Sequence, residues 1–249
     1  MNKIVSALVL SLCATAVQAG PSIDIGTVYD YMDGDKSAYL KRVFNRGDDT
    51  AFVRVNIYEM TFDAQGRATE TSLDTQNVSA AERKGLMASP ARLIVPAKGT
   101  QSTRLIYRGE RDVERYYRVR YVPVVPEKED QFNVSENDRE TYKASMSAGV
   151  NILTGYGAIF FVRPEKTRFD TKIQDSPAEY RVDNAGNSTI ELDEFKDCSL
   201  SDERECRATK KHILRPGKVF TFAKEAGRVY RFNLLEASAK KMIEVKGGA

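Results

Sequence analysis

The sequence predicts an all-β protein built as two β-sandwich domains in tandem, and three observations carry that prediction. First, alternating or β-rich runs recur along the chain: "AFVRVNIYEM" (51–60), "TRLIYRG" (103–109), "YYRVRYVPVV" (116–125) and "VYRFNLLE" (229–236). A period of two turns one face of a strand to a core and the other to water. Second, turn signals separate the runs: Asn45-Arg46-Gly47-Asp48, Asp63 to Gly66, Pro96 to Gly99, Asn184-Ala185-Gly186-Asn187 and Arg215-Pro216-Gly217. Third, the chain repeats itself. "VFNRGDDTAFVRVNIYEM" matches "VDNAGNSTIELDEFKDC" as strand, Asn-x-Gly turn, Thr and second strand. Later, "LIVPAKGTQSTRLIY" and "HILRPGKVFTFAKEAGRVYRF" each give a strand, a proline–glycine turn and further strand. Two immunoglobulin-like sandwiches satisfy this pattern.

The elements follow in order. Lys3, the apolar run Ile4 to Ala16 and the small-residue exit Val17-Gln18-Ala19 read as a secretory signal peptide, residues 1–19. The alternative is a lipoprotein signal with Cys13 lipidated, but Leu12 stands where Gly or Ala is expected. No other run approaches the ~20 apolar residues that span a bilayer, so membrane insertion is not expected. The first sandwich is expected over 20–164 and the second over 165–249. Arg163-Pro164 ends the last strand of the first, and the charged "EKTR" reads as a hinge. The only plausible helical turns are Ser79–Leu86 and Glu136–Ser147, neither with a convincing apolar stripe. The stretch 126–147, "PEKEDQFNVSENDRETYKASMS", is polar, charged and glycine-free, and its composition reads as mobile before a partner binds.

Composition excludes several function classes. The 38 basic and 35 acidic residues nearly cancel, so charge does not point to nucleic acid. The basic, aromatic "RYYRVRY" is read as a strand whose Tyr117, Val119 and Tyr121 face a core while Arg118 and Arg120 face outward. His212 is the one histidine, which removes most acid–base and nucleophile constellations. No phosphate loop, dinucleotide fingerprint, zinc spacing or nucleophile elbow appears, so no enzyme activity, cofactor or metal is expected. Arg46-Gly47-Asp48 supplies a turn rather than an adhesion motif. The Asn-x-Ser/Thr sequons at Asn77, Asn133 and Asn187 read as loop chemistry. Beyond the signal peptide two cysteines remain, Cys198 and Cys206, and export to an oxidising compartment predicts a disulfide between them.

One stretch is unusual: "AGVNILTGYGAIFFVRPEKT" (148–167) is long, apolar and β-prone, yet broken by Gly149, Gly155 and Gly157, and it follows the polar stretch. Such a segment invites pairing with other chains.

Here a resemblance enters. "GLMASPARLIVPAKGTQSTRLIYRG" (85–109), "ERYYRVRYVPVVPEK" (114–128) and "AIFFVRP" (158–164) resemble strands of the PapD-like periplasmic chaperones, which serve the chaperone–usher pathway of pilus assembly. The match spans nearly all the mature chain, is strongest over 85–164 and is weak after 170. A divergent branch, similar to the alternate chaperones of class 5 fimbriae, fits best. The resemblance implies two Ig-like domains in a boomerang arrangement, a periplasmic location, and partners that are pilin-like fimbrial subunits and an outer-membrane usher. In that family the long G1 strand is lent to a subunit that lacks its own last strand. Aligning Arg163-Pro164 with the family's Arg-Pro puts Ala148, Val150, Ile152, Thr154, Tyr156 and Ala158 on the lending face. Val150 and Ile152 are the best apolar plugs, and packing of these residues in the protein's own core is the alternative. Arg163 resembles an arginine that bridges the two domains, with Glu114 and Glu236 as its acidic partners.

The chain departs from the family at the anchor for the subunit's C-terminal carboxylate. "SIDIGTVYDYM" holds no basic residue, and Ile159 stands at the G1 lysine position. Arg118 and Arg120, on the strand expected beside G1, are the candidate anchors in their place, with ordinary solvent-facing arginines as the alternative. The rival from another function class is a secreted two-domain Ig-like adhesin or pilus subunit. Such a subunit would have an incomplete first domain and an N-terminal donor segment, for which "GPSIDIGTV" is too short.

Overall fold

The computed structural model describes residues 20–73, 84–147, 152–202 and 204–248. The expected signal peptide, most of the turn expected at Ser79–Leu86, and residues 148–151 with Val150 lie outside them. Ten strands make the first sandwich: β1 (Ile23–Asp24), β2 (Tyr29–Met32), β3 (Ala38–Asn45), β4 (Ala51–Phe62), β5 (Ala68–Ser72), β6 (Gly85–Ser89), β7 (Arg92–Val95), β8 (Thr100–Arg108), β9 (Arg115–Val124) and β10 (Tyr156–Val162). One sheet has the order β1-β3-β8-β6. The other runs β2-β10-β9-β4-β5, with β7 also on β4. Strand β6 begins at Gly85, so the end of the expected helical turn at Leu86 is strand instead.

The alternation read in the sequence fills the core. Val43, Leu105, Tyr117, Val119, Tyr121 and Phe160 from both sheets are buried together. Each large apolar side chain so buried contributes about 1.5–3 kcal/mol. One charged pair shares this interior. Lys41 follows the inward parity of β3, and its Nζ donates to Asp30 Oδ2 at 2.7 Å and to the Thr27 carbonyl at 2.7 Å. The other Asp30 oxygen accepts from Thr27 Oγ1 at 2.7 Å and Tyr39 Oη at 2.8 Å. With every Asp30 oxygen satisfied, the ion pair tolerates burial and fixes the start of β2 against β3.

The second sandwich has β11 (Thr171–Asp175), β12 (Glu179–Asn184), β13 (Ile190–Ser199), β14 (Lys210–Leu214), β15 (Val219–Ala223), β16 (Arg228–Glu236) and β17 (Ala239–Lys246). Its sheets are β11-β12-β15 and β14-β13-β16-β17. Phe195 sits at the centre, its ring within 5.7 Å of those of Phe220, Phe222 and Phe232. His212 lies against Phe220, 4.0 Å between ring centroids, and burial beside Lys210 pushes its pKa down. The half-buried imidazole packs against the aromatic cluster at the edge of the second core.

The internal repeat has a physical basis in two buried asparagines. Asn45 Nδ2 donates to the carbonyls of Asp49 and Val95, and its Oδ1 accepts from Gly47 N. Asn184 Nδ2 donates to the carbonyls of Ser188 and Leu214, and its Oδ1 accepts from Gly186 N. Each amide closes its own turn and ties it to the strand before the proline turn. Glycine is required at Gly47, because a Cβ there would lie 2.2 Å from the Gly20 carbonyl oxygen. The flanking Arg46 and Asp48 are held by Asp24 and Lys98, so this triplet is a fastened turn.

Residues 126–147 correct the expectation of a mobile stretch. A 3-10 turn (Lys128–Asp130) precedes helix α1 (Glu136–Ser147). Ser135 caps the helix by accepting from Asp138 N at 3.1 Å. The rings of Phe132 and Tyr142 meet Phe52 edge-on at 5.3 and 4.8 Å, Tyr142 Oη donates to the Thr50 carbonyl, and Arg54 pairs with Asp130. Polar composition hides the few apolar side chains: Phe132 and Tyr142, which dock the segment on Phe52 of β4, and the buried Met146.

The expected disulfide is present: Cys198 on β13 bonds Cys206, closing the nine-residue loop "CSLSDEREC". Next to it Asp197 accepts from Arg207 at 2.7 Å and Arg228 at 2.7 Å. A loop of this length predicts about 2–3 kcal/mol of stabilisation from the crosslink. The Cys198→Ala/Cys206→Ala variant should therefore show a lower melting temperature, and mass spectrometry of exported protein should find no free thiol. Two free thiols would overturn the assignment. Separately, Lys41→Met strands the buried Asp30 carboxylate and should cost about 3–5 kcal/mol in a denaturant melt. A loss below about 1 kcal/mol would show that the pair does not hold β2.

Candidate functional site

The site grows from the unequal coverage of β10. On one side β10 pairs antiparallel with β9 over its full length, from Tyr156 opposite Tyr121 to Val162 opposite Arg115. On the other side β2 runs parallel to it and reaches only Ile159 to Val162. The pairing ends where Ile159 N donates to the Val28 carbonyl at 2.8 Å. Beyond that point Thr27 is held by Asp30 and Lys41, and Gly26, at φ +67°, turns the chain aside. The β2-side edge of Tyr156, Gly157 and Ala158 has no partner strand among the described residues.

The described strand is shorter than the sequence suggested, since residues 152–155 precede it outside any strand. Ala158, Phe160 and Val162 share one face and lie in the first core. Ala158 was expected on the lending face; at 1% exposure it packs the protein's own core instead. Tyr156 has the same parity, is 37% exposed and lies just past the core's edge, while Ile152 is 80% exposed and Thr154 is exposed. Val150 lies outside the described residues.

The structure brings Arg118 and Arg120 together on the outward face of β9. Both donate to one carboxylate that sequence reasoning missed: Arg118 Nε to Glu70 Oε1 at 3.0 Å and Arg120 Nη2 to Glu70 Oε2 at 2.5 Å. Glu70 sits on β5, two strands away, with β4 between. Arg120 also lies over the Tyr58 ring at 4.5 Å. The arginines, Glu70, Tyr156 and the two bare positions Gly155 and Gly157 border an open hollow of about 420 Å³. A Cβ at Gly157 would press on the Arg118 stem at 3.2 Å, so glycine lets the arginine lie across β10.

The expected trio Arg163, Glu114 and Glu236 does not assemble. Arg163 Nη1 pairs with Asp33 at 2.5 Å, and its guanidinium lies over the rings of Tyr31 at 4.6 Å and Phe169 at 5.4 Å. Glu114 instead reaches the second sandwich, accepting from Ser188 Oγ at 2.7 Å, Thr189 N at 2.9 Å and Thr189 Oγ1 at 2.5 Å. Those donors already satisfy it. Glu236 accepts from Thr171 Oγ1 at 2.6 Å within its own sandwich. Further contacts cross between the sandwiches: Arg215 stacks on Phe62 at 3.4 Å, and Lys211, paired with Glu191 and Asp193, lies 5.7 Å from the Tyr29 ring. Burial next to the Glu191 carboxylate pushes the Tyr31 phenol far up, so it stays protonated. Asp33, next to the turn at Gly34, was the one signal in the sequence for the Arg163 partner.

The comparisons with known proteins bear on the fold and on the sequence. No family model matches the chain. The "Probable fimbrial chaperone EcpB" of Escherichia coli O157:H7 is 23% identical over 219 residues, covering 87% of this chain and 88% of its own. The class 5 fimbriae chaperone CfaA superposes with a TM-score of 0.53 at 16% identity, over 90% of this chain and 98% of its own. A chain in the complex of Salmonella enterica SafA pilin with the SafB chaperone gives 0.52 at 10% identity, over 90% of this chain and 96% of that one. The superpositions carry the two-sandwich fold, and the curated relatives carry the sequence likeness. In both respects the chain resembles a divergent PapD-like chaperone of the chaperone–usher pathway.

Proposed function

We propose that this protein is a periplasmic chaperone that captures pilus subunits by lending them a strand and delivers them to an outer-membrane usher. It works without catalysis or cofactor. The observation that carries the reading is the half-covered edge of β10, where Gly157 turns its backbone groups to a side that no strand covers among the described residues, on a strand already paired on its other side. A partner strand added there gains main-chain hydrogen bonds without unfolding anything. Val150, Ile152, Thr154 and Tyr156 would then fill the groove of an incomplete subunit. The high exposure of Ile152 supports this role, since an apolar side chain so placed gains by burial in a partner. Arg118 and Arg120 would anchor the subunit's terminal carboxylate. Relatives named as fimbrial chaperones, one solved with a pilin, support the same reading. The rival, a pilus subunit or adhesin, calls for an unfinished first sandwich, whereas here β10 completes it.

The test co-expresses a cognate subunit with the Val150→Glu/Ile152→Glu variant. Two buried apolar side chains are worth about 3–6 kcal/mol together, so subunit recovery should fall by at least a hundredfold. The variant's own melting temperature should stay within about 2 °C, because Ile152 is 80% exposed. Collapse of the chaperone would overturn the reading by assigning these residues to its own core. Arg118→Ala and Arg120→Ala should each weaken capture; if neither does, the carboxylate is held elsewhere.

A further inference from the structure

The outward face of the β1-β3-β8-β6 sheet carries a second constellation, on the opposite sheet from β10. Pleat alternation sends Lys41, Val43, Leu86, Thr103 and Leu105 inward. It sends Leu40, Arg42, Met87, Arg104 and Ile106 outward. Register sets Met87, Ile106 and Ala38 in one row across three strands, an unbroken apolar strip. The next row pairs Leu40, 56% exposed, with Arg104. Arg42 lies two residues further along β3, opposite Ser102. Both arginines are exposed, and neither forms a hydrogen bond or ion pair with any described residue. The carboxylate at the β1 end of the face, Asp24, is already held by Arg46 at 2.6 Å.

We propose that this face docks an extended, acidic and apolar segment of a partner protein. Charge complementarity selects the occupant. The two guanidiniums stand beside an apolar strip, and neither is paired with an acid among the described residues, so an approaching carboxylate gains a charged hydrogen bond without first breaking one of theirs. Spacing selects its conformation. Arg42 and Arg104 are diagonal neighbours on adjacent strands, about 7–8 Å apart. Residues i and i+2 of an extended chain lie about 6.6–6.8 Å apart and face the same way. A segment with acids at i and i+2 therefore meets both arginines, with its i+2 residue level with Leu40 and an apolar residue at i+4 level with the row of Ala38, Ile106 and Met87. A lipid surface would use the same charges but needs no such spacing. Because β10 takes no part in this face, its test is independent of strand lending.

The experiment titrates the 15N-labelled mature protein with a synthetic Asp-Ser-Asp-Ser-Leu-Ser-Leu peptide. Parallel arms use its Lys-Ser-Lys-Ser-Leu-Ser-Leu counterpart and phosphatidylglycerol vesicles. Amide shifts should cluster at residues 38–42 and 104–106. Affinity should fall at least tenfold in the Arg42→Glu/Arg104→Glu variant and also in Leu40→Ser, with unchanged melts. Equal binding of the lysine peptide, shifts centred elsewhere, no binding, or vesicle binding in place of peptide binding would each overturn the proposal.

Discussion

The short reach of β2 along β10 is the constraint on which the functional geometry depends. A sheet edge is normally capped, charged or covered, because free backbone groups recruit other chains. Here the edge strand covers four residues of β10 and stops. What stops it is the buried cluster of Lys41, Asp30, Thr27 and Tyr39, which fastens the chain before β2 into the sandwich. A buried ion pair is a weak source of stability beside well-packed apolar residues, so its value is positional. It holds the strand's beginning at one place, and with it the length of open edge.

The contacts between the two sandwiches follow another logic. Two arginines at the junction lie over aromatic rings across it, Arg163 over Phe169 as well as its own Tyr31, and Arg215 over Phe62, while Arg111 lies over Tyr107 inside the first sandwich. A guanidinium stacks and forms hydrogen bonds in its own plane at once, which a lysine ammonium cannot do. Arg111 shows the result. It donates to the carbonyls of Met32, Asp33 and Arg163, fastening the end of β10 to the turn after β2. Glu114 supplies the complementary device, a carboxylate fully saturated by donors from the other sandwich.

Much of this fold was legible in the sequence, for identifiable reasons. The inward parity of Tyr117, Val119 and Tyr121 follows from a period of two, and the Asn-x-Gly repeat marks two turns that the same buried amide closes. The disulfide was expected from the signal peptide read in the sequence and the even cysteine count beyond it, and Cys198 and Cys206 are bonded. What stayed hidden were pairings between residues distant in the chain. Nothing in "ATETS" says that Glu70 will meet Arg118 and Arg120, 48 and 50 residues away. The Arg163 pairing with Asp33 spans 130 residues. The helical turn expected at Glu136–Ser147 is present as α1, but its docking was hidden for a different reason. Its apolar anchors are spaced to touch one strand, and its polar remainder dominates any composition window. Parity also misled at Ala158, because a lending face and a core face are the same face of one strand. They differ only in where the protein ends beneath it.

That last point bears on how a subunit could be held. Ala158, Phe160 and Val162 pack the first core, and Tyr156 continues the same face at its rim. An added partner would therefore extend an existing core instead of building a separate interface, with apolar burial running through from one protein into the other. The opposite face is bare at Gly157 on β10 and at Gly155 just before it, and it is there that Arg118 and Arg120 share Glu70. Two cations against one anion leave a net positive charge beside the open edge. Arg118 is 26% and Arg120 46% exposed, so the guanidiniums keep a side open to a second carboxylate next to Glu70. Shape and apolar burial thus act on one face of the strand and charge on the other, and a chain end able to use both must approach β10 along its open edge.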